Sequence, residues 1–367
     1  MNTTERRCTD KHHYSLADLG WTAEHATAFD RYNGDYVAGR VSCRQKTSWE
    51  VLIEGELVTT GISGAMKRLG RYPAVGDFVV LLRQPACGTT MIVDILPQRT
   101  RFTRGAAGRE GSNQVIAANV DTVFIVTAAG RDLNPRRTER YLAIAHASGA
   151  HPVIVINKCD LADDPTVLAD EILAVAGSTP VITISAATGE GLERLLPFLE
   201  PGSTIVLIGS SGVGKSTLIN RLLDQSVQKT SETRVHDQRG RHTTTVRQLI
   251  VLNGGALMID TPGLREVGIG TASEGIDEAF PDILMLAEGC RFSDCRHEQE
   301  PGCAVQQAVR DGVLTTSRFN NYHRLVKELA FEKAKAEIGL ARMEKKRWKQ
   351  ISGHGKLVNS VRAARDL

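Results

Sequence analysis

Residues 209–216 combine glycines, hydroxyl groups and a lysine at a spacing that could bind phosphate. The segment follows an apolar run at 204–208 and precedes a helix-forming run at 217–223, flanks that make a chance glycine turn the weaker interpretation. Glycines let backbone N–H groups point at phosphate oxygens, and the following helix N-terminus adds partial positive charge. Lys215 would reach the β- and γ-phosphates of a nucleotide, and the Ser216 hydroxyl would bind Mg²⁺. The predicted phosphate contacts are Gly209, Ser210, Ser211, Gly212, Val213, Gly214, Lys215, Ser216 and Thr217.

A second polar motif, Asn157-Lys158-Cys159-Asp160, follows the apolar run at 153–156. The Asp160 carboxylate could accept hydrogen bonds from both N1–H and the exocyclic amine of guanine, whereas adenine offers no such pair of donors. Sites built in this way discriminate between bases by ~10⁴-fold or more. Asn157 would contact the base edge and support the phosphate-binding loop, and the Lys158 side chain would cover the base face. Alone, the motif could be a plain strand-to-helix turn; after a strand, and with Ser185 and Ala186 at the end of the next one, it predicts a guanine nucleotide.

Two further segments follow predicted strands and would complete the nucleotide site. Ser185 and Ala186 end one strand, and the Ala186 backbone N–H would meet guanine O6. Asp260 and Gly263 begin and end a four-residue segment after another strand. Asp260 would hold Mg²⁺ through water, and the Gly263 N–H would bind the γ-phosphate. Together these motifs predict GTP bound with Mg²⁺.

The polar run at 239–245 suits a first switch segment that responds to the nucleotide. One of its threonines would close on Mg²⁺, and we assign this role to Thr244. Leu264 follows the γ-phosphate glycine and cannot orient water, so intrinsic hydrolysis is expected to be slow. His242 is the nearest ionisable residue that could act instead; the alternative is a solvent-facing loop histidine.

The motifs occur in rotated order along the chain, with base recognition before the phosphate-binding loop and the two switches after it. In a doubly wound sheet all these loops lie at the carboxyl ends of strands, so new termini elsewhere leave the site intact. The sequence therefore predicts a circularly permuted α/β P-loop domain. Its strands are the continuous apolar runs at 120–126, 152–156, 181–184, 204–208, 248–252 and 256–259.

Three cysteines and a histidine lie within 14 residues in the last third of the chain: Cys290, Cys295, His297 and Cys303. Four such ligands with no spare position suit a closed tetrahedral Zn²⁺ site with a structural role. A small segment with few core residues would need the metal to fold. Unrelated buried cysteines are the weaker alternative.

The chain has 367 residues, of which 41% are hydrophobic and 24% are charged, as expected for a globular protein of two or three domains. Its net charge of +3 is unevenly distributed. Residues 318–367 hold 13 Lys/Arg against 5 Asp/Glu, which indicates either a polyanionic partner or a solvated charged helix.

No run approaches the ~18 apolar residues of a membrane span. The other cysteines show no pairing pattern, which favours a reduced, cytoplasmic setting; they are Cys8, Cys43, Cys87 and Cys159.

Short alternating segments separated by turns occupy residues 35–98. This pattern is typical of a small all-β unit, and at this size a barrel of the OB type is expected. Such barrels often bind oligonucleotides, although a purely structural barrel is the alternative. The predicted strands are 36–41, 49–53, 78–82 and 91–96. The predicted organisation is an N-terminal extension at 1–34, the barrel at 35–98, a linker at 99–114, the GTPase domain at 115–272, a mainly helical zinc-binding domain at 273–351 with a long helix from 318, and a basic tail at 352–367.

The motif order, the β-rich segment before it and the Cys/His cluster after it resemble the ribosome small-subunit-dependent GTPase A family, also called RsgA or YjeQ. The resemblance runs from about residue 35 to residue 322 and includes the nucleotide motifs, the run at 240–245 and the run at 290–297. It implies an OB-fold, a permuted GTPase domain and a zinc domain that together bind the small ribosomal subunit. The implied activity is GTP hydrolysis stimulated by that subunit during late maturation of its decoding region. Gln238 stands where the family usually has glycine.

We therefore expect a GTPase whose partners are the 30S subunit, its rRNA and GTP or GDP, and which leaves the subunit on hydrolysis. The alternative is a regulatory GTP-binding switch that acts on a protein partner, with the barrel and zinc module as scaffolds. The guanine motif argues against a metabolic P-loop enzyme. We expect a cytoplasmic monomer that binds no membrane and uses Mg²⁺ with GTP and one structural Zn²⁺.

Overall fold

The computed structural model describes residues 14–84, 89–104, 114–130, 133–162, 164–224, 247–252, 254–260 and 274–338. The chain divides into two compact units, which are described separately. The first unit comprises residues 1–102 and 115–266, and the second comprises residues 103–114 and 267–367. Within the described ranges, no helix combines the length and apolar character needed to cross a bilayer.

The first unit contains a closed barrel of five strands: β1 Tyr36–Arg44, β2 Trp49–Ile53, β3 Glu56–Ile62, β4 Phe78–Gln84 and β5 Thr89–Ile95. The strand order is β1-β2-β3-β5-β4, and pairing of β1 with β4 closes the barrel. All pairs are antiparallel except β3 with β5. Buried apolar residues fill the interior, among them Val41, Trp49, Val51, Val79 and Ile92. The predicted OB-type barrel is therefore confirmed.

Strand β3 and the short helix α2 Gly64–Arg68 that follows it are not predicted by the sequence pattern. Two exposed residues begin β3, and only two of its seven residues are buried. Its apolar alternation is therefore too weak to stand out. The better signal is the turn between β2 and β3, where Gly55 adopts φ 78° and allows a tight reversal.

The N-terminal segment of the first unit packs on the barrel through helix α1 Ala23–Phe29. The His25 ring is buried 4.3 Å from the Phe78 ring, measured between centroids, and Trp21 meets Phe78 edge-on. Burial lowers the pKa of His25 to about 4, with the positive charges of Arg99 and Arg40 adding to the effect. His25 is therefore neutral at physiological pH and acts as a core side chain.

The rest of the first unit is built on strands β8 Thr122–Ala128, β9 His151–Asn157, β10 Val181–Thr183, β11 Thr204–Ile208, β12 Gln248–Val251 and β13 Leu257–Asp260. All six strands lie within two residues of their predicted bounds. Their spatial order is β10-β9-β8-β11-β13-β12, with β12 antiparallel to β13 and the other pairs parallel. Strand β11 is fourth along the chain but lies between β8 and β13, which is the crossover expected of a doubly wound sheet.

Three helices connect these strands: α3 Pro135–Ser148, α4 Pro165–Ala176 and α5 Lys215–Asp224. Helix α3 begins with Asn134, whose side chain accepts a hydrogen bond from the Arg137 N–H, and ends at Gly149 with φ 81°. These are ordinary start and stop signals. Two short 3-10 helices, at Cys159–Leu161 and Leu192–Phe198, also lie in the described connections.

Strand β12 also pairs with barrel strand β1, at Cys43 and Gln248, so the barrel and the nucleotide-domain strands form one continuous sheet. The sequence analysis placed residues 99–114 in a linker. Within that range Arg101–Arg104 forms strand β6, which pairs with β7 Gln114–Ala118. Phe102 is buried, but it is the only apolar residue of β6, so no apolar pattern marks this strand in the sequence.

The second unit is helical over its described residues, with α6 Glu274–Ala279, α7 Pro281–Ala287, α8 Ala304–Arg310 and α9 Thr316–Ile338. Its buried residues include Phe280, Ile283, Val305 and Leu325. Arg318 on α9 forms a paired ion contact with Asp282 on α7, with N–O distances of 2.6 and 2.7 Å. The long helix begins at Thr316, two residues before its predicted start at 318. The predicted part beyond Ile338 lies outside the described residues.

Candidate functional site

The phosphate-binding loop lies between β11 and α5, and two of its glycines are required by close contacts. Gly209 has φ 148°, and a Cβ there would lie 2.2 Å from the Val126 carbonyl oxygen. Gly214 has φ 94°, and a Cβ there would lie 2.3 Å from Nδ2 of Asn157. Gly212 also has positive φ, but a Cβ there would meet nothing within 4 Å. The loop thus fits against its neighbours only with glycine at 209 and 214.

Lys215 opens helix α5 and its side chain turns back over the loop. Its ammonium group donates hydrogen bonds to the carbonyl oxygens of Gly209, at 2.8 Å, and Ser210, at 2.5 Å. The cation is therefore held where the backbone curves, next to the helix N-terminus. Ser216 and Thr217 follow in the first turn and are exposed. This arrangement of N–H groups, cation and hydroxyls can bind a chain of phosphates.

Asn157 connects the phosphate-binding loop to the turn after β10. The side chain is 2% exposed, its Nδ2 donates to the Val213 carbonyl at 2.9 Å, and its Oδ1 accepts from the Ala186 N–H at 2.9 Å. The predicted partner of the Ala186 N–H is guanine O6. In the structure this N–H is bound to Asn157, so a contact with O6 would share the same hydrogen.

The remainder of the base-recognition motif lies at the end of β9. Lys158 has φ 64°, which turns the chain sharply into the short 3-10 helix at Cys159–Leu161. The Cys159 N–H donates to Ile184 O at 3.2 Å, and its thiol is 3.3 Å from Ile156 O. Burial raises the pKa of the Cys159 thiol, which therefore stays protonated. Asp160 is exposed and follows directly.

Asp260 ends β13, one strand from the phosphate-binding loop, and is half-buried. Because β11 and β13 are parallel neighbours, Asp260 and Ser216 both follow the carboxyl edge of the sheet. A carboxylate and a hydroxyl are suitable oxygen ligands for Mg²⁺. Other predicted residues lie outside the described residues: His242, Thr244, Gly263 and Leu264.

Arg221 was not predicted, yet it contacts the same turn as Asn157. It lies on α5 and donates from Nε to the Ala186 carbonyl at 3.0 Å and from a terminal nitrogen to the Ala187 carbonyl at 2.5 Å. A single arginine on a helix face carries no motif, so only a three-dimensional view shows that it reaches a turn 34 residues earlier in the chain.

The second unit brings together all four predicted metal ligands. The ligand atoms of Cys290, Cys295, His297 and Cys303 lie within 4.8 Å of one another. Nδ1 of His297 is 3.4 Å from Sγ of Cys303 and 3.6 Å from Sγ of Cys290, and these two sulfurs are 3.9 Å apart. A tetrahedral Zn²⁺ with Zn–S bonds of about 2.3 Å separates its sulfurs by roughly 3.8 Å. The residues present therefore fit a zinc ion.

Backbone contacts from helix α8 favour the thiolate form of Cys290. Although burial alone would raise the pKa of the Cys290 thiol, the N–H groups of Val305 and Ala304 and the neighbouring Cys303 hold it below its usual value. Cys303 is also the N-cap of α8 and accepts the Gln306 N–H. The Gln306 side chain donates to the carbonyl of His297 at 2.8 Å. This contact supports the left-handed backbone of His297, at φ 61°.

The phosphate-binding loop follows a central strand, and the guanine-type motif follows the next-but-one strand of the sheet. The motifs occur in rotated order along the chain. Together these features define a circularly permuted P-loop GTPase. The RsgA GTPase family model matches residues 95–270. The chain is 56% identical over 333 residues to the small ribosomal subunit biogenesis GTPase RsgA of Methanosarcina acetivorans, covering 91% of this chain and 90% of that protein. The chain therefore belongs to the RsgA GTPase family.

Other relatives and solved structures agree. The chain is 44% identical to the protein of the same name from Opitutus terrae, over 92% of this chain and 96% of that one. The crystal structure of YjeQ from Thermotoga maritima matches 80% of this chain and 99% of its own, with a TM-score of 0.61 and 28% identity. YloQ, a circularly permuted GTPase, matches 83% of this chain and 98% of its own, with a TM-score of 0.58 and 25% identity.

Proposed function

We propose that this GTPase binds the small ribosomal subunit through rRNA, assists a late step of its maturation in the cytoplasm, and leaves when GTP is hydrolysed. The observation that carries the proposal is the 91% coverage at 56% identity with a relative named for small-subunit biogenesis. The excess of eight positive charges in residues 318–367 supports a polyanionic partner. The barrel, the zinc-binding unit and this basic segment are the proposed rRNA contacts.

In the proposed nucleotide complex, Asp160 accepts the two donors of guanine, Asn157 supports the base edge and Lys158 covers the base face. The turn at Ser185 and Ala186 meets O6. The loop from Gly209 to Thr217 surrounds the phosphates, with Lys215 on the β- and γ-phosphates. The buried Asn157 bridge, which holds the phosphate-binding loop and the turn after β10 together, supports this division of roles.

On the metal side of the site, Ser216 and Thr244 would bind Mg²⁺ and Asp260 would hold it through water. The Gly263 N–H would bind the γ-phosphate. When bound, Mg²⁺ neutralises charge on the phosphate oxygens. We assign His242 as the residue that orients the attacking water, because Leu264 cannot do so. Hydrolysis is then slow in the free protein and faster when the small subunit holds the first switch closed.

Cys290, Cys295, His297 and Cys303 hold one structural Zn²⁺ in this proposal. When bound, the ion would be held by all four residues and would tie the loop at 290–303 to the start of α8. Three thiolates and one imidazole with no open position fit a structural rather than a catalytic metal. The domain therefore presents a fixed surface to rRNA.

The test is co-sedimentation of the full chain with purified 30S, 50S and 70S particles, with GDP or a non-hydrolysable GTP analogue, together with GTPase rates. We expect binding to 30S particles that is stronger with the analogue, falls steeply with salt and accompanies faster hydrolysis. Stable binding to no particle, or a 30S association insensitive to salt and nucleotide, would contradict the proposal and favour a protein partner.

Two variants separate the nucleotide roles in that assay. Asp160→Asn should shift the preference from guanine to xanthine nucleotides, because asparagine offers a donor to the xanthine C2 carbonyl. His242→Ala should lower the 30S-stimulated rate by ~10²-fold or more while GTP affinity and 30S binding stay nearly unchanged. Full stimulated turnover in His242→Ala would assign the catalytic group elsewhere.

A further inference from the structure

Arg221 links the helix of the phosphate-binding loop to the turn after β10. It lies six residues after Lys215 on α5, so it belongs to the same rigid element as the proposed phosphate contacts. Its guanidinium group donates to two successive carbonyls, those of Ala186 and Ala187. A planar group with fixed donor directions orients such a pair better than a single ammonium can.

These bonds determine where the backbone donors of the turn point. The Ala186 carbonyl shares a peptide plane with the Ala187 N–H, and in a trans peptide the two point in opposite directions. Because Arg221 holds that carbonyl from the α5 side, the Ala187 N–H faces away from α5. The preceding N–H, of Ala186, is held by Asn157. Both N–H groups of this turn therefore have fixed directions.

The turn is supported at one end by buried contacts and at the other mainly by Arg221. Ser185 and Ala186 are each 1% exposed, and the Ser185 hydroxyl accepts the Thr188 N–H at 3.2 Å. Ala187 is exposed, and the bond from Arg221 is what fixes its carbonyl. Loss of Arg221 would free the exposed half of the turn and leave Ser185 in place.

We propose that Arg221 is a positioning residue for guanine recognition: it holds the turn at Ala186 and Ala187 so that its N–H groups meet the 6-oxo group of the base. The inference rests on the proposed nucleotide site and adds a residue to it. Arg221 touches neither base nor phosphate in this account. It acts by making the O6 contact and the phosphate contacts parts of one rigid body.

The experiment compares the affinities of the full-length Arg221→Ala variant and the unsubstituted protein for three nucleotides. GDP and inosine diphosphate both carry the 6-oxo group, whereas 6-thio-GDP keeps the donors to Asp160 but replaces the oxygen by sulfur, a weak acceptor. We expect GDP and inosine diphosphate to lose about tenfold in affinity and 6-thio-GDP about twofold or less, because tenfold corresponds to about 1.4 kcal/mol, which is within the range of one hydrogen bond.

Two further variants serve as controls. Arg221→Lys keeps the charge but can donate to one carbonyl at a time, so its GDP affinity should lie between those of Arg221→Ala and the unsubstituted protein. It also tests the proposal if Arg221→Ala does not fold. Arg194→Ala removes another exposed arginine near β10, which donates to the Thr183 hydroxyl at 3.4 Å and not to the turn. That variant should bind all three nucleotides normally.

An equal loss for all three nucleotides would show that Arg221 supports the phosphate-binding helix only, and unchanged affinities would show that it supports nothing at this site. Either result overturns the inference. Asp160→Asn, measured in parallel, tests the site on which the inference rests. If Asp160→Asn leaves GDP affinity unchanged, the proposed nucleotide site is itself wrong; if GDP affinity is lost there but not in Arg221→Ala, only the role of Arg221 is wrong.

Discussion

Asn157 shows how much of the site depends on single atoms. One buried amide donates to the Val213 carbonyl in the phosphate-binding loop and accepts from the Ala186 N–H in the turn after β10, so it ties together two residues that are 27 positions apart in the chain. Gly214 makes that possible, since any Cβ at this position would occupy the place of the amide nitrogen. The Asn-Lys-x-Asp motif and the glycine-rich loop therefore depend on each other in the structure, although they are separate in the sequence.

Substitution of Gly214 should test this dependence. In Gly214→Ala the new methyl group would lie 2.3 Å from Nδ2 of Asn157, so the amide must move and its bonds to Val213 and Ala186 break. We expect GDP affinity to fall by ~10²-fold or more, because base and phosphate contacts are both lost, at roughly 1–1.5 kcal/mol for each bond. The measurement is a titration with fluorescent GDP.

Gly212→Ala is the matched control for that substitution. Gly212 also has positive φ, so alanine there carries a similar backbone strain of ~1 kcal/mol, but its Cβ would meet no atom within 4 Å. The loss of GDP affinity should be clearly smaller than in Gly214→Ala. Equal losses in the two variants would mean that strain, and not the contact with Asn157, explains the effect.

Residues with short, ordered spacing could be predicted from the sequence, whereas isolated residues could not. The four predicted metal ligands lie within 14 residues, and their ligand atoms lie within 4.8 Å of one another. Arg221 and Arg40 form contacts with distant carbonyls, and neither has a neighbour in sequence that marks it. Side-chain bonds to backbone carbonyls depend on the fold and leave no periodic trace in the chain.

At the scale of helices and strands, the strands that could be predicted from the sequence are those buried on both faces. The strands of the nucleotide domain are continuous apolar runs, and they were placed within two residues. Strand β3 was missed because most of its side chains are not buried. Strand β6 was hidden within a predicted linker. Edge and partly exposed strands carry weak patterns because only some of their side chains enter a core.

Cys303 is the N-cap of α8 and a proposed metal ligand, and these two roles can be separated. Serine is a good N-cap but a poor zinc ligand. We therefore expect Cys303→Ser to preserve the cap of α8 yet lower the zinc content well below one ion per chain. Elemental analysis of reduced protein and the circular dichroism of chelated samples would measure both effects.

Gln306→Ala is the control for that prediction, because it removes hydrogen bonds next to the cluster without removing a proposed ligand. Gln306 donates to the carbonyls of His297 and Glu298 and is not itself a ligand. Gln306→Ala should keep the zinc and lose only part of the thermal stability. A full zinc complement in Cys303→Ser would contradict the four-ligand assignment.

On the scale of the whole first unit, the N-terminal segment, the barrel and the nucleotide strands meet at one buried side chain. Arg40 on β1 donates to three carbonyls, those of Leu19 at 2.6 Å, Gly76 at 3.1 Å and Asn119 at 2.8 Å. These carbonyls belong to the segment before α1, to the barrel and to the approach to β8. The motifs predicted each part of this unit but not that one sheet and one arginine join them.

Arg40 remains charged although it is fully buried. Burial lowers its pKa to about 10, with Arg99 adding to the effect and Asp121 and Asp77 opposing it, so the guanidinium is protonated at neutral pH. It also lies over the Phe78 ring, 5.0 Å from the centroid. A buried charge is tolerated here because carbonyl oxygens satisfy its donors.

Arg40→Met should therefore weaken the connection between the parts of the first unit more than it weakens any one part. Methionine fills much of the volume but leaves three carbonyls without their donors, at ~1–3 kcal/mol for each unsatisfied group. We expect the free energy of unfolding to fall by about 3 kcal/mol or more. We also expect the tryptophan fluorescence of the barrel, which contains Trp49, to change at a lower urea concentration than loss of GDP binding.

Arg40→Lys, which can satisfy fewer of the three carbonyls, should be intermediate. One coincident transition at the original midpoint in Arg40→Met would mean that the sheet shared by β1 and β12 joins the parts without this arginine.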